Sequence, residues 1–204
     1  MPIPPYDSQI KDLLKCLEKQ TAKHEVIVCE QKIERYINKN KLLNEGFVKA
    51  KGEYIWHCDA DFLPGPTLLQ RMQQAMIKNK YDVIYPHYYS EFNKCWRISD
   101  GGPFLKRSVL ERYGKLDESI KGCTYETFPL LEWCMDSVKF HSSDEFKIPQ
   151  NTKPFVKPSH EKVDPVCYEK YKPYGQGINK RLLKEKLVPS VVYHKLGVKI
   201  NRLW

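Results

Sequence analysis

Three short apolar runs, Glu25-Val-Ile-Val-Cys-Glu30, Tyr54-Ile-Trp-His-Cys58 and Tyr81 to Tyr85, alternate along this chain with stretches of helical periodicity. The first stripe is Ile10, Leu13, Leu14 and Leu17, and the second, within Asn38 to Lys51, is Leu42, Leu43, Phe47 and Val48 with Gly52 as its stop. The third, Leu68, Leu69, Met72 and Met76, follows Pro66, a residue suited to a first turn because its missing N–H would have no partner there. Helices and buried strands alternating at this spacing predict an α/β sandwich with a mostly parallel central sheet. In such sheets ligands bind beyond the carboxyl ends of the strands. With 204 residues and 41% apolar content the chain is expected to form a single domain with its own core.

At one such strand end stands Asp59-Ala60-Asp61. Two carboxylates separated by one small residue can face the same hard cation. Mn²⁺ and Mg²⁺ prefer oxygen ligands and are commonly held by one or two carboxylates together with substrate phosphates. An acidic turn also arises without any ligand, and it is the strand before it that gives this one weight.

Charge and cysteine content narrow the classes. A formal charge of +9 suits an anionic partner, and no nucleic-acid-binding signature accompanies it, so nucleic acid is not expected. The basic stretch from Asn179 to Trp204 could lie on an anionic membrane surface, although a solvated helix face explains it as well. No run approaches the ~18 apolar residues of a membrane helix, and Met1 to Asp7 lacks the pattern of a secretory signal. The seven cysteines, Cys16, Cys29, Cys58, Cys95, Cys123, Cys134 and Cys167, have no CxxC spacing. Neither a zinc site nor a disulfide framework is signalled, and a soluble, cytoplasmic protein with free thiols is expected.

The second half is less regular. Phe104 to Tyr113 reads as a helix closed by Gly114, and Glu126 to Met135 as another. Prolines and charges interrupt Asn151 to Tyr174, which reads as loops over a site.

Three ordered blocks carry a family resemblance: Glu25 to Gln31, then Ile37-Asn-Lys-Asn-Lys-Leu-Leu-Asn-Glu-Gly-Phe47, then Tyr54 to Pro64 with Asp-Ala-Asp inside it. Together they resemble the GT-A glycosyltransferases, in particular the β-1,4-galactosyltransferases and the broad inverting family 2-like group, and more distantly small enzymes of large algal viruses. The likeness continues through Gly101 to Arg107, Tyr113 to Glu118 and Lys121 to Thr127, and thins beyond about residue 135.

The resemblance implies a GT-A, Rossmann-like α/β/α fold, with residues 1–100 binding a nucleotide sugar and 101–204 binding the acceptor. It implies transfer of a hexose, from UDP-glucose or UDP-galactose, to a sugar acceptor with inversion, assisted by Mn²⁺ or Mg²⁺. Asp61 would be the principal metal ligand and Asp59 would help it or touch the ribose, with Ala60 between them. Glu30 would sit near the nucleoside, Asn38 and Lys39 near the base or diphosphate, and Pro4, Tyr6 and Asp7 in a turn around uridine. The family's first strand, which precedes that turn, is almost absent here.

Inverting transfer needs a carboxylate to take the acceptor proton. The resemblance points to Glu126, with Thr127 where the family often has a second acid; Asp100 is the rival. An acid opening a helix also favours the helix dipole, which is the structural alternative for Glu126. His160 is a third metal-ligand candidate, and Trp96, Gly101 and Gly102 are candidates for the acceptor side. A sugar-nucleotide nucleotidyltransferase shares strand-end carboxylates but would want a Gly-rich phosphate loop, and Pro2 to Ser8 has no glycine. A non-catalytic nucleotide-sugar or partner-binding module is the remaining alternative.

Overall fold

A computed structural model describes residues 6–29, 38–90, 95–98, 102–120, 126–149 and 164–185. The elements run α1 (Tyr6–Glu18), α2 (Lys39–Lys49), β1 (Tyr54–Trp56), α3 (Leu68–Asn79), β2 (Val83–Ser90), β3 (Cys95–Ile98), β4 (Phe104–Lys106), α4 (Arg107–Tyr113), α5 (Phe128–Ser137), β5 (Phe140–Pro149) and α6 (Pro165–Lys184). One sheet in the order β1-β4-β2-β3 organises them, with β5 on the other side of β2. The α/β class of the sequence reading holds.

The sheet is mixed. Among the described residues β2 runs parallel to β5, whereas the pairs β1–β4, β2–β4 and β2–β3 are antiparallel. β2 is the hub. Its first residues face β4 (Val83 opposite Leu105), its last face β3 (Ser90 opposite Cys95), and its other edge follows β5. The register with β5 shifts between Pro86 and His87, where proline has no N–H to give to a ladder.

Two apolar layers sandwich this sheet. Ile55, Val83, Tyr85 and Leu105 pack under Leu130, Leu131 and Cys134 of α5 and Ile178 and Leu182 of α6. On the opposite face Ile84, Phe104, Phe146 and Ile148 meet Leu68, Leu69, Met72 and Met76 of α3. The α3 stripe read from sequence is thus the buried face, although the helix starts at Leu68, after Pro66, and ends on Lys80 in left-handed conformation (φ 56°).

Several boundaries differ for physical reasons. The 25–30 run is expected as a buried strand, yet residues 23–29 form no regular structure and Val26 and Val28 are 45% and 48% exposed. β-branched residues favour a strand only where a neighbour pairs with them. That segment is instead held against α2, where Gly46 leaves room for the Cys29 thiol: a Cβ at Gly46 would lie 3.0 Å from Sγ. The expected helix from Phe104 begins as β4, because Phe104 and Leu105 are buried by strand pairing, and turns helical only at Arg107. Gly114 closes α4 at φ 89°, which glycine adopts without steric penalty.

The expected loop region 151–174 contains the first half of α6. Pro165 stands at the helix start and Pro173 lies inside it, while Tyr174, Ile178 and Leu182 form a stripe at four-residue spacing. Tyr174 donates to Glu132 Oε2 at 2.6 Å and Arg181 reaches Asp136 Oδ1 at 2.6 Å, so packing on α5 sustains the helix despite the proline. Cys16, Cys29, Cys58, Cys134 and Cys167 are unpaired, and burial pushes the Cys134 thiol up to about 12. No helix among the described residues is long and apolar enough to cross a membrane.

Leu131 is fully buried between the sheet and α6. Truncating Leu131→Ala should destabilise the fold by about 2–5 kcal/mol, measured as a lower urea midpoint with an unchanged slope.

Candidate active site

β1 ends at Trp56, and the next residues turn away from the sheet. Phe62 N–H donates to the Asp59 carbonyl at 3.1 Å, closing a turn around Ala60 and Asp61. Phe62, 2% exposed, packs its ring 5.6 Å from that of Tyr88 on β2, and Leu63 N–H bonds the Pro149 carbonyl at the end of β5 at 2.9 Å. The acidic turn is therefore fastened to two further strands of the sheet, β2 and β5. On the other side His57 N–H donates to Pro103 O at 3.0 Å and Trp56 Nε1 to Gly102 O at 3.1 Å. Gly102 is thereby brought beside the strand that carries the carboxylates.

Asp59 is already engaged. Lys39 Nζ, at the start of α2, lies 2.9 Å from its Oδ1, and His57 Nε2 lies 3.4 Å from the same atom. Burial acts to raise the Asp59 pKa but is outweighed by the Lys39 charge and the His57 hydrogen bond, which hold the carboxyl well below the usual range. Burial lowers the His57 pKa, and Asp59 opposes that shift. The Cys58 thiol is pushed well above its ordinary value, first by burial and then by the charges of Asp59 and Asp61. A thiol so protonated is no nucleophile.

A cavity of about 1060 Å³ opens beside this turn. Lys39, His57, Asp59, Ala60 and Asp61 line it together with Leu13 and Leu17 of α1, Leu42 and Phe47 of α2 and the 22–29 segment, which brings both apolar and charged side chains. A pocket lined by apolar side chains and several charged groups suits an organic phosphate ester with a cation. Among the described residues no cluster of three His, Cys, Asp or Glu side chains gathers for a metal. Two carboxylates are nevertheless a fitting oxygen donor set for Mn²⁺ or Mg²⁺ when substrate phosphates and water complete the shell.

The other residues singled out from the sequence fall into separate groups. Glu126 is 9% exposed and immediately precedes Thr127, the N-cap of α5, so it stands outside the first helical turn rather than within it. Its backbone carbonyl accepts a hydrogen bond from Asn40 Nδ2 on α2 at 3.0 Å. Asn38 caps α2 by accepting from Lys41 N–H and donates to Glu118 O, so both ends of its amide serve the protein. Tyr6 and Asp7 open helix α1 rather than forming a turn, and their side chains lie outside the described residues. Trp96 belongs to β3, but its side chain is likewise outside them, as are Pro4, Glu30, Asp100, Gly101 and His160 altogether.

His57 and Asn40 are missing from the sequence reading. Within the apolar run Tyr54 to Cys58 nothing sets His57 apart, and only the fold shows that its ring reaches Asp59. Asn40 and Asn44 do carry a signal: two amides four residues apart on one helix.

The depressed Asp59 pKa makes the ion pair sensitive to pH in a defined direction. Because the folded value lies below the unfolded one of about 3.9, the pair's contribution is complete above that pH and is lost as the pH falls from there. The difference in unfolding temperature between wild type and Lys39→Met should stay constant from pH 7 to about 5 and shrink below about pH 4, as followed by circular dichroism.

The family model for glycosyl transferase family 2 matches residues 7–131, from the first turn of α1 into α5 and across the acidic turn. No curated protein matches the chain. The matched stretch covers more than half of the 204 residues and contains every described element of the site. The chain belongs to glycosyl transferase family 2: it is a GT-A-fold glycosyltransferase, of a family whose members use nucleotide-sugar donors and glycan acceptors.

Proposed function

We propose that this glycosyltransferase moves a hexose from a UDP-sugar, UDP-glucose or UDP-galactose, to a sugar acceptor with inversion. Mn²⁺ or Mg²⁺ would be held by Asp61 with help from Asp59, the Asp-x-Asp arrangement of such enzymes. The observation that carries this reading is the acidic turn that follows β1, which lines the cavity with Lys39 beside it. Bound there, the cation supplies Lewis-acid stabilisation of charge on the departing diphosphate.

The chain's own residues do the rest. Lys39 supplies a positive charge beside Asp59, suited to a phosphate oxygen. Apolar side chains of α1 and α2 in the cavity lining offer a surface for the nucleoside base. In the transfer the acceptor oxygen forms a bond to the anomeric carbon as the bond from that carbon to the diphosphate oxygen breaks. UDP leaves with the electron pair, and the acceptor proton passes to a carboxylate, which we assign to Glu126 with Asp100 as the rival. His160 would complete the metal's ligands, and Gly102 and Trp96 would stand on the acceptor side, so that residues 1–100 mainly bind donor and 101–204 acceptor.

Thermal unfolding in the presence of UDP-glucose or UDP-galactose tests the donor and the metal together. At a hundredfold excess over Kd with Mn²⁺ the midpoint should rise by roughly 5–10 °C, and EDTA should remove the rise. Asp61→Ala should abolish it; a shift indifferent to EDTA and to this substitution would overturn the metal assignment. Glu126→Gln should lower turnover by about 10²–10⁴-fold while donor binding stays near wild type. An unchanged rate in that variant would move the base elsewhere.

A further inference from the structure

Three successive residues at the start of α2 reach three separate parts of the molecule. Asn38 caps the helix and donates to Glu118 O at 2.8 Å. Lys39 pairs with Asp59 at 2.9 Å. Asn40, with no exposed surface, donates through one Nδ2 to two carbonyls, Asp117 O at 2.8 Å and Glu126 O at 3.0 Å. Its Oδ1 is buried and has no hydrogen-bond partner among the described residues. One turn of helix thus touches both the metal-side carboxylate and the backbone of the candidate base, segments that lie far apart in sequence.

We propose that Asn40 is a positioning residue, which fixes the Glu126 backbone relative to the Asp59-Ala60-Asp61 turn through the rigid first turn of α2. The inference rests on the assignment of Glu126 as proton acceptor made above. A buried amide with an unpartnered oxygen is destabilising, so an apolar side chain would fill this helix face more stably than Asn40 does. What the amide provides and an apolar side chain cannot is a directed bond to the carbonyl of Glu126 itself. Asn44, one turn later on the same face, supplies the internal comparison. It holds the same loop, donating to Leu116 O at 3.0 Å and accepting from Leu116 N at 3.0 Å, and it also reaches Glu118 Oε1 at 2.9 Å. None of these bonds goes to Glu126.

Asn40→Ala and Asn44→Ala should therefore both lower the unfolding temperature, but should differ in two other measurements. Hydrogen exchange of the amides at 126–131 should accelerate in Asn40→Ala, whereas Asn44→Ala should accelerate exchange only around 114–120. With UDP-glucose and Mn²⁺, Asn40→Ala should lose about 10–100-fold in kcat and keep its donor KM within about threefold, while Asn44→Ala should keep both constants near wild type. If Asn40→Ala does not fold, Asn40→Ser, which retains a shorter donor, should show the same split to a smaller extent. Unchanged exchange at 126–131 overturns the tether. So do equal kcat losses in the two variants, or accelerated exchange with normal kcat. A wild-type protein that exchanges as described but turns over neither UDP-glucose nor UDP-galactose overturns the sugar-transfer reading instead, and with it the catalytic meaning of the tether.

Discussion

The pairing of β2 with three other strands is the constraint on which the remaining architecture depends. Its buried residues Val83, Ile84 and Tyr85 lie between α3 on one face and α5 with α6 on the other, and each neighbouring strand is placed by register against it. Through β4 it positions β1 and hence the acidic turn; through β5 it positions Pro149, which receives the Leu63 N–H just beyond that turn. A displacement of β2 would move both supports of Asp59 and Asp61 together. The shift in register at Pro86 and His87 lets one ribbon serve all three partners, since the ladder can break where a proline has no N–H to contribute.

Electrostatics at the site run against the chain's bulk charge. The protein is basic at +9, yet the acidic turn puts two carboxylates, Asp59 and Asp61, in the cavity lining. Lys39 and His57 meet one of them, while burial first and then the charges of Asp59 and Asp61 raise the neighbouring Cys58 thiol. A lining of mixed sign suits a ligand that brings both a cation and phosphates, because each charge of the pair then finds an opposite already in place. The surrounding excess of lysine and arginine favours approach of an anionic donor at long range and weakens with added salt.

How much of this was legible in the residues depends on whether the signal was local. The α3 stripe, the α2 helix with Asn38 before it, and the acidic turn after an apolar strand could all be read, because spacing and capping chemistry report on residues a few positions apart. The 25–30 run could not, since the same Val-Ile-Val that fits a strand stays irregular when no neighbouring strand pairs with it. β4 was absorbed into the helix that follows it, because only its partners Ile55 and Val83, distant in sequence, make Phe104 and Leu105 a strand. The prolines of α6 pointed to loops, and what overrides Pro173 is contact with Glu132 and Asp136 on α5. In the site, the two carboxylates were evident, whereas the roles of His57 and Asn40 come from geometry across the fold.

One consequence of the sheet order concerns how copies of this protein meet in solution. Among the described residues β1 pairs only with β4 and stands at the sheet's edge, and nearby the 22–29 segment leaves Val26 and Val28 half uncovered. Unladdered backbone and bare apolar side chains in the same neighbourhood are the features by which strands from separate molecules adhere. Mutual repulsion between chains of like charge opposes that adhesion. Colloidal behaviour should then follow ionic strength: dilute buffer keeps molecules apart, and screening at high salt shortens the range over which they repel.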